Sequence, residues 1–183
     1  MPRPNWFFAF PLDGSFVLDL PELPPAFRRY HPDDVHMTLA FLGGCGEAAA
    51  LRALGALDER LASAPPEPLQ VALGEVVPMG SPSRYTALSA LLGRGRAEAV
   101  ACLGALRDAL TEAASGRREK RAPKPHVTIA RPRARADREA GLRWARGLEL
   151  SHVDARLERI ALYTWSELRR ERLFQIVAER RLG

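Results

Sequence analysis

The stretch VHMTLAF at residues 35–41 has a counterpart in the stretch PHVTIAR at residues 125–131. Each contains His-x-Thr within an alternation of apolar and other residues, which is the pattern of a half-buried strand. Because side chains two positions apart on a strand point to the same side, each stretch is expected to present an imidazole and a hydroxyl together, away from its core face. In the first stretch, the alternation assigns Phe41 to the core face. These stretches are called the first and second motifs.

Two such strands facing each other across a cleft would place four chemical groups around one small ligand: His36, Thr38, His126 and Thr128. Imidazole titrates near neutral pH, so one histidine can hold a proton while the other lacks it. A threonine hydroxyl both donates and accepts, so it can hold an oxygen of the bound group. These four side chains could carry out acid/base displacement at phosphorus without a metal.

A single His-x-Thr on a strand is common and has an ordinary structural explanation. Here two copies use two of the four histidines of the chain, and both lie in matched apolar contexts on the same strand phase. His31 precedes a proline in a loop, and His152 has no threonine two residues on, so both are interpreted as surface residues. The matched pair favours a site over coincidence.

The length of 183 residues and the hydrophobic content of 46% fit one domain over residues 1–183, built as two small lobes that share a core. No apolar run approaches the ~20 residues needed to span a bilayer, and residues 1–8 lack the layout of a signal peptide. We therefore expect a cytoplasmic monomer. Two cysteines make no disulfide framework, and no Cys/His cluster has zinc-ligand spacing, so neither a metal nor a cofactor is expected.

The net charge is +5 and the pI is about 9.9, which suits a polyanionic partner. All but two of the 27 basic residues, Lys120 and Lys124, are arginine, so compositional bias of the source genome contributes to this charge. The distribution is more informative, because the densest basic run, Arg117–Lys124, leads directly into the second motif. Such a run can be a solvated loop, but its position favours contacts with an RNA or DNA backbone.

The remaining pattern is strand-rich and contains two long helices. Helices are predicted at residues 47–62 and 97–114, and Asp137 is a candidate N-cap of a shorter one that ends at Arg146. A further short helix is possible at residues 24–30. Besides the two motifs, strands are predicted at residues 6–10, 69–73, 84–91, 156–164 and 172–180. The strand at 84–91 would bring Tyr85 to its start.

The motifs, extended to HMTLAFLG at residues 36–43 and PHVTIAR at residues 125–131, resemble the paired motifs of the two-histidine (2H) phosphoesterases. Within that superfamily the chain is most similar to the bacterial and archaeal RNA 2′,3′-cyclic phosphodiesterases, also called 2′-5′ RNA ligases. The stretch FFA at residues 7–9 resembles the opening strand of that family. The resemblance implies a bilobal α+β fold: two antiparallel sheets flanked by helices, a pseudo-two-fold axis and a central cleft lined by the motif strands.

The resemblance also implies an activity, the metal-independent hydrolysis of RNA 2′,3′-cyclic phosphate ends to 2′-phosphates. Carried over to this sequence, the acid/base pair is His36 and His126, with His126 expected as the base and His36 as the acid. Thr38 and Thr128 would hold the phosphate, and Arg131 would contact it. Three further substrate contacts are expected from the flanking sequence, at Lys124, Arg133 and Tyr85.

Three alternatives stay open from the sequence alone. The same residues could run the ATP-independent joining of a 2′,3′-cyclic phosphate to a 5′-hydroxyl. The pocket could bind nucleotides without catalysis, although binding alone does not require two titratable groups. The protein could also be a basic RNA-binding domain that acts through Arg117–Lys124 alone, which predicts strong salt dependence unaffected by histidine substitution.

Overall fold

The alternating stretches of the sequence form strands in the computed structural model, which describes residues 3–183. Met1 and Pro2, part of the N-terminal stretch considered above, lie outside the described residues. The strands are β1 (Trp6–Pro11), β2 (Phe27–Arg29), β3 (His36–Gly43), β4 (Leu69–Pro78), β5 (Leu88–Leu92), β6 (His126–Pro132), β7 (Asp154–Leu157), β8 (Arg159–Trp165) and β9 (Phe174–Arg181). The helices are α1 (Glu47–Ser63), α2 (Arg96–Ser115) and α3 (Arg138–Arg146). Within this described part, no helix is long and apolar enough to cross a membrane.

The strands form one curled antiparallel sheet, in the order β7-β4-β5-β6-β3-β1-β8-β9, with β2 beside β6. The prediction of an α+β fold is confirmed, but the expectation of two separate sheets is wrong. The motif strands β3 and β6 lie next to each other in the middle of the order and are joined by the residue pair Met37 and Val127. Each half of the sheet therefore has its motif strand innermost, and in the ladder of residues 3–183 one pair links the two motif strands.

Beyond that pair, β6 changes partner. Its last residues pair with β2 rather than with β3, so the two motif strands diverge after their first residues. The divergence opens the space between the motifs on the side of the sheet away from the helices. The core lies on the other side, where Met37, Leu39, Val127 and Ile129 are all at most 2% exposed, as the alternation predicts.

A β-bulge in β3 changes the direction of one aromatic side chain. Two consecutive residues of β1 pair with Thr38 and Ala40, so Leu39 is an extra residue in β3. An inserted residue shifts the alternation by one position. Leu39 and Ala40 are consequently both buried, whereas Phe41 is 60% exposed. The assignment of Phe41 to the core was wrong for this reason.

Of three other local predictions, the structure confirms one, contradicts one and shortens one. Asp137 caps α3 as predicted, because its carboxylate accepts hydrogen bonds from the backbone N–H groups of the first helical turn. The possible helix at residues 24–30 is wrong, since Phe27–Arg29 pair with β6 as a strand. The strand predicted at residues 84–91 is shorter and begins at Leu88.

Candidate active site

The cleft between the diverging motif strands receives the side chains of both motifs. His36 begins β3 and His126 begins β6, and Thr38 and Thr128 follow two positions later on the same sides of their strands. All four line one cavity of about 680 Å³. The other residues that line it are Asn5, Phe7, Arg28, Tyr30, Phe41, Arg131, Pro132, Arg133, Trp165, Arg169, Leu173 and Phe174.

Both histidines are oriented by the same local hydrogen bond. Nδ1 of His36 lies 2.7 Å from the carbonyl oxygen of Asp34, and Nδ1 of His126 lies 2.6 Å from the carbonyl oxygen of Lys124. A carbonyl oxygen can only accept, so Nδ1 must carry the proton in both rings. Nε2 is therefore the nitrogen of each ring that is free to accept or donate a proton.

The surroundings of the two rings differ, although the motifs are alike. Three aromatic rings enclose His36: their centroids lie 4.9 Å (Phe7), 5.4 Å (Tyr163) and 5.6 Å (Phe174) from the imidazole centroid. His36 is only 8% exposed, whereas His126 is half-buried. Phe7 and Phe174 line the cleft beside His36, so the first imidazole stands in a largely apolar wall.

This difference is reflected in the protonation of the rings. Burial lowers the pKa of His36 from 6.5 to about 4, although the hydrogen bond to the Asp34 carbonyl acts in the opposite direction and the charge on Arg131 adds to the lowering. Burial also lowers the pKa of His126, and the charge of Lys124 lowers it further, against the hydrogen bond to the Lys124 carbonyl. Both imidazoles therefore favour the neutral form in the free protein, with His36 far from protonation at neutral pH.

The carboxylate of Asp34 fixes the wall of the cleft beside His36. It is fully buried and accepts hydrogen bonds from the backbone N–H groups of Leu173, at 2.7 Å, and Phe174, at 3.0 Å. The backbone carbonyl of the same residue accepts the hydrogen bond that Nδ1 of His36 donates. Asp34 thus connects the first histidine to Leu173 and to the start of β9, and nothing in the sequence pattern marked it.

The two threonines are also unequal. The hydroxyl of Thr128 lies 3.0 Å from the hydroxyl of Ser89, a fully buried residue that is its register partner on β5. The corresponding partner of Thr38, on β1, is Ala9, which has no hydroxyl. Within residues 3–183 the Thr38 hydroxyl makes no hydrogen bond to another residue, so it remains available to a ligand. Ser89 was not predicted, because its importance depends on the register between β5 and β6.

Arginine side chains line the cleft. The predicted contacts Arg131 and Arg133 are both among them, and Arg28 and Arg169 join them. Arg28 is the register partner of Arg131 across β2 and β6, which sequence reasoning missed because β2 was predicted as helix. The Arg169 guanidinium lies 4.0 Å from the ring centroid of Trp165. In the described part of the chain none of these four arginines forms an ion pair with an acidic side chain.

The structure does not bring Tyr85 to the cleft, so the expected substrate contact is wrong. Tyr85 is fully buried, and its hydroxyl donates a hydrogen bond of 2.8 Å to the carbonyl oxygen of Arg138 at the start of α3. The Arg138 guanidinium returns a hydrogen bond of 2.6 Å to the Tyr85 carbonyl oxygen. Because β5 begins later than predicted, at Leu88, Tyr85 belongs to the preceding loop and anchors α3.

The backbone of Lys124 contributes to the site, but its side chain does not reach the main cleft. Its carbonyl orients His126, but its exposed side chain does not line the main cleft. The side chain lines instead a smaller adjoining cavity, together with residues of α2.

The chain matches one known family model, and its fold is similar to several solved structures. The family model described as the 2′-5′ RNA ligase superfamily matches residues 22–169. Among solved structures, the fold is similar to TT0787 of Thermus thermophilus, with a TM-score of 0.74, 18% identity and 97% of each chain covered. It is similar to E. coli LigT complexed with ATP, with a TM-score of 0.67, 17% identity and coverage of 100% of this chain and 99% of that one. It is also similar to a structure described as a phosphoesterase, with a TM-score of 0.67, 19% identity and 98% of each chain covered. No curated protein matches the sequence significantly.

Proposed function

The chain belongs to the 2′-5′ RNA ligase superfamily, and from that premise we propose that it hydrolyses RNA 2′,3′-cyclic phosphate ends to 2′-phosphates. One observation carries the proposal: a single cleft receives an imidazole with a free Nε2 and a threonine hydroxyl from each motif. Displacement at phosphorus requires one proton to be removed and one to be delivered, which two such imidazoles can do.

The charge and shape of the cleft support a nucleotide end as the substrate. The four arginines without acidic partners among residues 3–183 suit a phosphate-bearing ligand, since guanidinium groups bind phosphate through charge-assisted hydrogen bonds. The exposed ring of Phe41 offers an apolar surface beside them. E. coli LigT, a protein of similar fold, has been solved with ATP and with 3′-AMP.

The proposed step is an in-line displacement. A water oxygen attacks phosphorus on the side opposite O3′, so that a new P–O bond forms while the P–O3′ bond breaks. One imidazole removes a proton from the water and the other gives a proton to O3′. The product carries a 2′-phosphate and a 3′-hydroxyl, and the two histidines have exchanged their protonation states. The hydroxyls of Thr38 and Thr128, with Arg131, stabilise the charge that develops on the non-bridging oxygens.

The protonation of the rings favours roles opposite to those expected from the sequence. His36 is enclosed by aromatic rings and has a pKa of about 4, so it is already in the basic form at neutral pH. His126 is less buried, so of the two rings it more readily holds the proton that the acid must deliver to O3′. We therefore assign His36 as the base and His126 as the acid.

The reaction class is tested with an RNA that ends in a 2′,3′-cyclic phosphate, incubated in the presence of EDTA. The wild type is expected to form a 2′-phosphate, and His36→Ala and His126→Ala are each expected to lose about 10²–10⁴-fold in turnover. His152→Ala is the matched control, because His152 is exposed and outside the cleft. Full activity of either motif variant would refute the two-imidazole mechanism.

The roles require a different experiment, because exchanging the acid and the base leaves a pH–rate profile unchanged in form. A substrate with sulfur in place of O3′ releases a thiolate, which leaves without being protonated. We expect this substrate to restore turnover to His126→Ala but not to His36→Ala. Restoration in His36→Ala alone would return the assignment to the one expected from the sequence.

The description of the matching family favours one second candidate, ATP-independent 2′-5′ ligation. In that reaction an RNA 5′-hydroxyl replaces water as the nucleophile and the same P–O3′ bond breaks. Supplying one cyclic-phosphate RNA with and without a 5′-hydroxyl RNA measures both products in one assay. Tight binding of the RNA with neither product would instead support a non-catalytic nucleotide-binding module.

A further inference from the structure

A second cavity of about 200 Å³ opens beside the main cleft. The two cavities share Thr38, Phe41 and His126, so the shared side chains form a partition between them. The far side of the second cavity is built by α2, by Glu119 and by residues 121–124, which belong to the basic run before the second motif. It is called the side cavity below.

The side cavity is electropositive. Its lining includes Arg107 of α2 together with Arg121 and Lys124, and these face one acidic residue, Glu119. The Glu119 carboxylate accepts the backbone N–H of Arg121 at 3.0 Å, which lowers its pKa and occupies it locally. Within residues 3–183, none of the three basic side chains forms an ion pair with a carboxylate.

Arg107 is held in place although it forms no close ion pair among the described residues. Its guanidinium donates a hydrogen bond of 2.7 Å to the carbonyl oxygen of Arg121, which joins α2 to the basic segment. Its buried Nε has no hydrogen-bond partner in the described part of the chain. A guanidinium held at a cavity wall without an ion pair can bind an anionic ligand through charge-assisted hydrogen bonds.

We propose that the side cavity binds the phosphodiester that precedes the terminal nucleotide of the RNA, and that the protein therefore acts faster on oligonucleotide ends than on cyclic mononucleotides. This inference rests on the proposed function, because it assumes that the cyclic phosphate lies between His36 and His126. The side cavity lies below the roughly 300–1,000 Å³ of ordinary ligand pockets, so it suits a phosphate group rather than a second whole nucleotide. Its position across the partition from the reacting groups suits the next unit of the same strand.

The test compares 2′,3′-cyclic AMP with an oligoribonucleotide that ends in 2′,3′-cyclic phosphate, for the wild type and the double variant Arg107→Gln/Arg121→Gln. Lys124 is left unchanged because its charge also acts on the pKa of His126. The matched control, Arg52→Gln/Arg60→Gln, removes two charges from the exposed face of α1, which lines neither cavity.

The double variant is expected to lose about tenfold or more in kcat/KM on the oligonucleotide, through KM, since one charge-assisted hydrogen bond corresponds to about that factor. Its kcat/KM on the cyclic mononucleotide should equal that of the wild type, which also shows that the variant is folded. The salt dependence on the oligonucleotide should become shallower by about 0.7 for each phosphate that the variant no longer neutralises. The control should follow the wild type on both substrates.

Equal oligonucleotide kinetics in the wild type and the double variant would overturn the inference, as would an equal loss in the control. If the wild type hydrolyses neither substrate, the proposed function fails. The inference is then judged by fluorescence titration with the 2′-phosphorylated oligonucleotide. Weaker binding by the double variant than by the control supports the side cavity, and equal binding overturns it.

Discussion

Acidification should destabilise this protein through His36 in particular. The aromatic enclosure keeps the pKa of His36 at about 4 in the folded state, against 6.5 in the unfolded chain. As the pH falls below about 6.5, the unfolded state binds a proton at this ring and the folded state does not, so the unfolded state gains stability. The contribution of neutral His36 is therefore complete above about pH 6.5, is lost as the pH falls towards 4, and changes no further below that.

The size of the effect follows from the two pKa values. One unit of pKa shift corresponds to about 1.4 kcal/mol, so the loss reaches about 3 kcal/mol when the ring is protonated in both states. By about pH 5 it should amount to about 2 kcal/mol relative to pH 7.5. In a domain of this size that is a fall of about 4–8 °C in Tm.

The assay is chemical unfolding followed by circular dichroism at a series of pH values, for the wild type and His36→Asn. Asparagine keeps an N–H donor for the Asp34 carbonyl and does not titrate, so the difference between the two curves isolates the ring from other titrating groups. His152→Asn is the control for an exposed histidine. If the free energies of unfolding of the wild type and His36→Asn fall in parallel between about pH 7.5 and 5, the aromatic enclosure does not hold the ring neutral and the reasoning is refuted.

Three further predictions concern the walls and floor of the cleft. Asp34→Ala leaves two backbone N–H groups without their acceptor and should destabilise the fold by about 2–4 kcal/mol in urea unfolding. Asp33→Ala, at an exposed neighbour, should have little effect. Equal stability of the two variants would contradict the bridging role of the Asp34 carboxylate. Phe41→Ala should raise KM for a cyclic-phosphate RNA by about 5- to 100-fold, the range expected for loss of one stacked base, with Tm unchanged; a large fall in Tm would restore Phe41 to the core. Ser89→Ala removes the hydroxyl that holds Thr128 and should lower kcat/KM by about 2- to 10-fold, and Ser89→Thr should recover part of the loss; unchanged kinetics in the alanine variant would show that Thr128 is positioned without it.

Local patterns determined which parts of the fold could be predicted. The motif strands and the cap of α3 depend on residues close in sequence, and the structure has both. The His-x-Thr spacing also predicts that each imidazole shares a side with its hydroxyl. The carbonyl two residues before each histidine is local as well, although its hydrogen bond becomes visible only in three dimensions.

Features set by pairing between distant strands were missed. The bulge at Leu39 is defined only against β1, so alternation alone placed Phe41 on the wrong side. Arg28 depends in the same way on the pairing of β2 with β6, and Ser89 on the register of β5 with β6. Tyr85 was misplaced because β5 begins later than its apolar pattern indicates. In each case the deciding contact joins residues far apart in the chain, and such contacts leave no local signal.

The single residue pair between β3 and β6 has a mechanical consequence. Among residues 3–183, Met37 and Val127 are the one pair that joins the motif strands in the ladder, so few backbone hydrogen bonds resist a motion that changes the distance between the two imidazoles. Resistance to that motion comes instead from the apolar packing of the core around Met37 and Val127, which are both fully buried. The width of the cleft is in this sense a property of the core. A cavity-forming substitution at Val127 would loosen the spacing of the two imidazoles as well as lower stability, so the proposed reaction can be tuned from positions that no substrate touches.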